Sequence, residues 1–142
     1  MSVQVELTPR AKTAVTVAVM LAAIMQMLDT TIANVALPHM QGSLSATQDQ
    51  LAWVLTSYIV ASAIMTLPIG WLSGRYGRKK VFVISIAGFT LTSLLCGAAG
   101  SLNEMIAFRI LQGLFGASLV PLSQAIMLDI NPKEAHGKAM AM

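Results

Sequence analysis

The chain has 142 residues, of which 56% are hydrophobic and 11% charged, with a formal net charge of +3. Soluble domains carry about 25% charged residues, so too little polar surface remains here for a water-soluble fold, a disordered chain or a nucleic-acid binder. A single cysteine, Cys96 in the apolar run LLCGAAG, rules out an internal disulfide and a thiolate metal cluster.

Residues 1–12 read as an N-terminal tail carrying Arg10 and Lys12. A first apolar run covers 13–37. It is too long for the 7–15-residue core of a signal peptide, and it holds Asp29, so it is predicted to be an uncleaved span. Pro38 and Gly42 punctuate its end. The second run, 50–73, carries no charge, and neither does the third, 81–101. The fourth, 105–128, carries only Arg109. Each run reaches the roughly 20 residues that a helix needs to cross a hydrocarbon core. They are too long for barrel strands of about 10 residues and lack in–out alternation. The expected fold is an all-α membrane protein with four transmembrane helices. Residues 129–142 are predicted to be a cytoplasmic loop and, at HGKAMAM, the start of a fifth helix, as in a fragment of a larger protein.

Basic residues set the orientation. Arg10, Lys12, Arg75, Arg78, Lys79, Lys80, Lys133 and Lys138 all fall on one side of this topology, and Arg109 lies within a span. The N-terminus and the loop 74–80 are therefore predicted to be cytoplasmic and 39–49 external. The basic balance is a topology signal and implies no nucleic-acid partner. His39 and His136 fall on opposite sides, so they cannot share a metal. No G-x-x-x-x-G-K-[ST] phosphate cradle is present.

Two side chains are out of place in lipid. Asp29 costs about 2.5–3.5 kcal/mol at mid-bilayer on insertion scales, so it must face other helices or a water-filled cavity. Gln26 lies one turn before it, and Ala22, Ala33 and Ala36 extend the same face. A proton or cation site is one reading; a carboxyl held by hydrogen bonds for packing is the other. Arg109 stays charged and cannot release a proton. Gln112, Gly113 and Gly116 continue its face. It either faces the cavity or snorkels to the outer interface, since Glu104 is only five residues away. Gly70 and Gly74, and Gly113 with Ala117, form small-residue pairs that allow close helix approach.

Three stretches, in order on consecutive predicted spans, resemble the major facilitator superfamily, and within it the fourteen-span drug:proton antiporters of the EmrB/QacA type. LDTTIANVALP (28–38) resembles that group's first-span motif. GWLSGRYGRKK (70–80) resembles the loop signature G-x-L-a-D-r-x-G-r-k, and RILQGLFGA (109–117) the fourth-span R-x-x-q-G-x-g-a. Two positions depart from the pattern. Gly74 replaces the acid of the loop signature, and His136 replaces an arginine in PKEAHGKA (132–139).

The resemblance implies that 13–142 is part of the N-terminal helical bundle of a transporter whose remaining spans are missing. It implies multi-pass insertion in the cell membrane and export of lipophilic or cationic small molecules. The proton gradient would supply the energy, with no cofactor and no enzymatic activity. Asp29 and Arg109 are the implied proton-coupling residues, with Gln26 and Gln112 on the cavity face. Gly70, Arg75, Gly77, Arg78 and Lys79 belong to the implied gating loop, and Asp129 is the expected partner of Arg78. Two other readings remain: a truncated, non-transporting partner of a full-length transporter, and a small four-span exporter that dimerises.

Overall fold

The computed structural model describes residues 8–43, 46–131 and Gly137. Residues 1–7 of the predicted tail, the loop carrying Lys133 and His136, Lys138 and the rest of the predicted fifth-helix start lie outside the described residues. Among the described residues five helices follow one another: α1 (Pro9–Ser43), α2 (Gln48–Tyr76), α3 (Arg78–Gly97), α4 (Leu102–Gly116) and α5 (Leu119–Ile130). Among the described residues there is no strand. Four stretches are long and apolar enough to cross a membrane: Pro9–Ala36, Gln48–Tyr76, Arg78–Gly97 and Leu102–Ile130.

The helix ends follow local chemistry. Thr47 opens α2 with a capping box: its hydroxyl accepts from the Gln50 amide, and the Gln50 side chain accepts from the Thr47 amide at 3.0 Å. Ser101 caps α4 by accepting from the Glu104 amide. Both caps satisfy N–H groups that have no partner inside the helix. Gly77 separates α2 from α3 at φ 87° and ψ 138°, a conformation that side chains with a Cβ rarely adopt.

Helix α1 departs from expectation at both ends. It begins at Pro9, so Arg10 and Lys12 are already helical, and it runs to Ser43, with Pro38 and Gly42 inside it rather than beyond it. A proline removes one hydrogen bond, the one to the carbonyl four residues back, and the helix carries on around the gap. The predicted fourth span is two helices. Pro121 has no N–H to give to Ala117, and the chain breaks between α4 and α5 at Ala117 and Ser118, which both keep right-handed helical angles.

Helix α4 packs against α2 and α3, whereas α5 packs chiefly on α1. Phe89 and Leu119 are fully buried between these elements, with Tyr58, Phe82, Leu122 and Met127 around them. Gly88 is needed where it is, because a Cβ there would run into the Phe115 ring. The outer surface is apolar: Leu21, Ile32, Trp53, Ile64, Leu67 and Trp71 all point away from the bundle. Lipid solvates such a surface, while the helices satisfy their own backbone groups internally.

Candidate functional site

The polar residues of α1 and α4 meet in the bundle interior. Arg109 is 3% exposed, so the snorkelling alternative does not hold: its guanidinium turns inward, away from Glu104. The Arg109 Nη1 donates to Asp29 Oδ2 at 2.8 Å and to Gln112 Oε1 at 2.7 Å. Gln112 in turn donates from Nε2 to Asp29 Oδ1 at 2.6 Å. Each carboxylate oxygen of Asp29 therefore accepts one hydrogen bond, and the three side chains close a ring. The Arg109 Nε points at the Val54 carbonyl on α2, 3.4 Å away.

Helix periodicity explains why these groups converge. Arg109 and Gln112 are three residues apart on α4 and share a face. Gln26 and Asp29 have the same spacing on α1. Burying an arginine with a carboxylate requires that remaining donors and acceptors also be met, and here a glutamine and a backbone carbonyl do so.

Two further groups were not legible as site residues. Tyr58 on α2, 6% exposed, lays its ring against Arg109, with Cζ 4.6 Å from the ring centroid. A desolvated contact of this kind is worth roughly 2 kcal/mol. Gln26 holds the phenol end of the same residue: its Nε2 donates to the Tyr58 hydroxyl at 3.2 Å and to the Gly116 carbonyl at 3.3 Å. The Gln26 Oε1 is buried with no hydrogen-bond partner among the described residues. On α3, the Cys96 thiol lies 3.6 Å from Gln112 Oε1. An aromatic and a thiol in apolar runs give no signal in a sequence; their neighbours in space supply it.

The two glycines after Gln112 make room for Tyr58. A Cβ on Gly113 would lie 2.5 Å from the Tyr58 carbonyl oxygen, and one on Gly116 would lie 2.9 Å from its hydroxyl. What reads as a general small-residue pattern is where α4 closes on Tyr58, Ala61 and Ser62 of α2 and on Phe89 of α3. No such contact exists at Gly70 or Gly74, where a Cβ would meet nothing within 4 Å.

The loop residues form a second, exposed group. Arg78 at the start of α3 pairs with Asp129 near the end of α5, as expected; both side chains are about half exposed. Arg75 stacks over Trp71, with Cζ 5.6 Å from the ring centroid. Lys79 is exposed at the start of α3, and Gly77 forms the turn itself. Among the described residues, no three His, Cys, Asp or Glu side chains group as a metal site would need.

Residues 19–142 match the family model of the Major Facilitator Superfamily. The chain is 45% identical to the multidrug export protein EmrB of Haemophilus influenzae over 126 residues, which is 89% of this chain and 25% of that protein. It is 43% identical to the multidrug export protein EmrB of Escherichia coli K12 over 127 residues, again 89% and 25%. It is also 43% identical to the fatty acid resistance protein FarB of Neisseria gonorrhoeae over 128 residues, 90% of this chain and 25% of that protein. The chain thus spans about a quarter of the length of the curated relatives it matches. With the match running through all four membrane-crossing stretches and over the Asp29–Arg109 site, the chain belongs to the Major Facilitator Superfamily, a family of membrane transporters.

Proposed function

We propose that this chain supplies the first spans of a proton-coupled efflux transporter, with Asp29 as the proton-binding group. The observation that carries this reading is the Asp29–Arg109 ion pair, which ties α1 to α4 inside an apolar bundle. Intramembrane ionisable pairs mark proton and ion paths. A proton on Asp29 neutralises the carboxylate and removes the charge that Arg109 faces. The tie between α1 and α4 then weakens, and the energies of the two access states change. Alternating access would be the rocking of this bundle against a second one around a site between them.

The cargo in this reading is a lipophilic or cationic small molecule. The names of the relatives, which include multidrug export and fatty acid resistance, support the lipophilic part. The proton gradient is the energy source, and no organic cofactor or metal takes part. Placement in the cell membrane with a cytoplasmic N-terminus follows from the basic residues at 10–12 and 75–80.

Asp29→Asn keeps the side-chain shape and removes titration. In the whole transporter, reconstituted in vesicles under an imposed pH gradient, it should abolish gradient-driven export while membrane insertion persists. Full export with an unchanged pH dependence would assign Asp29 to packing.

A further inference from the structure

We infer that Tyr58 is a positioning residue that holds the Arg109 charge while Asp29 is protonated. The inference rests on the proposed proton coupling and adds to it a residue and a role.

The argument begins with what protonation leaves behind. Arg109 is buried and keeps its charge at all accessible pH values. A buried charge whose counter-charge is neutralised is strongly unfavourable unless other groups take its place. Four groups touch the guanidinium: Asp29, Gln112, the Val54 carbonyl and the Tyr58 ring. Proton binding cancels only the first. Gln112 is also affected, because its amide is aligned by Asp29 Oδ1. The Val54 carbonyl is at the long end of hydrogen-bonding distance, at 3.4 Å. The Tyr58 ring takes no part in the proton exchange, and in the proposed cycle its negative face draws the guanidinium more strongly once Asp29 no longer competes for it, which is the difference between the two states that the inference needs.

The surroundings fix the ring for this task. Gly113 lets the α2 backbone at Tyr58 come close to α4, Gly116 leaves room for the Tyr58 hydroxyl, and Gln26 anchors that hydroxyl. Gln26 is on α1, one turn before Asp29, so the same helix holds both the counter-charge of Arg109 and the ring beneath it. The titratable and charged groups that face this cluster are Asp29 on α1, Tyr58 on α2, Cys96 on α3 and Arg109 on α4. Of these, only the Tyr58 ring attracts Arg109 without itself exchanging the coupling proton.

A ring that stabilises the protonated state sets the pH at which the switch operates. Without it, the Asp29-protonated state holds a poorly compensated charge, so a higher proton concentration is needed to reach it. Tyr58→Leu should therefore move the pH of half-maximal export in the acid direction, by less than about one unit, because only the extra attraction gained on protonation moves the midpoint. Tyr58→Phe keeps the ring and should stay close to the parent profile. A ring that only fills space would lower export in the leucine variant with no shift of midpoint.

The deciding experiment places phenylalanines of increasing ring fluorination at position 58 of the whole transporter. Fluorine drains the ring face of electron density while shape changes little, so the packing is kept whatever Tyr58→Leu does to folding. The midpoint should move acidward in step with fluorination. A flat series overturns the inference. Asp29→Asn run alongside separates the two claims. If it removes the pH dependence and the fluorine series is flat, only the role of Tyr58 falls. If it leaves the pH dependence intact, the coupling reading and the role of Tyr58 fall together.

Discussion

Asp29 and Arg109 stand eighty residues apart in the chain and 2.8 Å apart in space. Their pairing joins the first membrane-crossing helix to the last one described, and each partner is buried because the other is present. Replacing Arg109 by leucine leaves a carboxylate without its counter-charge and should cost about 3–5 kcal/mol. The double replacement Asp29→Leu with Arg109→Leu should recover most of that loss. Unfolding in detergent, followed by circular dichroism, measures both. Equal destabilisation by the single and double variants would count against mutual dependence.

Gly113 and Gly74 make a matched pair of controls for close packing. Gly113→Ala drives a methyl into the Tyr58 carbonyl, so α2 and α4 must separate, at about 1–3 kcal/mol. Gly74→Ala meets open space and should be neutral or slightly stabilising. The same unfolding assay distinguishes them.

At Gly77 the constraint is conformational rather than spatial. No atom lies within 4 Å of a Cβ there, yet φ is +87°. Gly77→Ala should cost about 1–3 kcal/mol, because the backbone region is one that side chains avoid. A variant as stable as the parent would show that the turn between α2 and α3 can adopt another form.

The Arg78–Asp129 pair is formed, but both side chains are about half exposed. Its coupling energy in a double-mutant cycle should therefore be small, about 0–1 kcal/mol, and should fall as salt is added. A value of several kcal/mol would mean that the pair is shielded in the assembled transporter. The charge swap Arg78→Asp with Asp129→Arg should restore whatever coupling the single variants lose.

Topology is open to a direct check. Reporter fusions at Gln48, the first residue of α2, and at Lys79, in the first turn of α3, should give opposite compartments, with Lys79 cytoplasmic. Reversed signals would invert the orientation; equal signals would remove α2 as a crossing helix.

Polarity against an apolar background made much of this structure legible in advance. Asp29, Gln26, Arg109 and Gln112 stand out because each is costly in lipid, and the structure brings them to one place. The four membrane-crossing stretches were legible from the lengths of the apolar runs, two of them uncharged and two interrupted by a single charge. Helix ends were less so: Pro38 and Gly42 look like terminators, yet α1 runs through them, because a long helix tolerates one missing hydrogen bond. The break at Ala117 had its cause in Pro121, but the continuous apolar pattern across it conceals the interruption. Tyr58 and the Val54 carbonyl could not be found at all. A tyrosine in an apolar run is ordinary, and a backbone carbonyl has no residue type, so their roles exist only in the packed arrangement.

The break between α4 and α5 divides more than a helix. Arg109 and Gln112 ride on the piece clamped by α2 and α3, while Asp129 rides on the piece that leans on α1. Along a straight helix, Arg109 and Asp129 would be roughly 30 Å apart on one stiff rod. Here the two residues between α4 and α5 keep right-handed helical angles, so the rod stays one crossing stretch that lacks the hydrogen bond Pro121 cannot donate. A point where one backbone hydrogen bond is missing is where such a stretch bends most easily, and it falls between the buried ion pair and the exposed one.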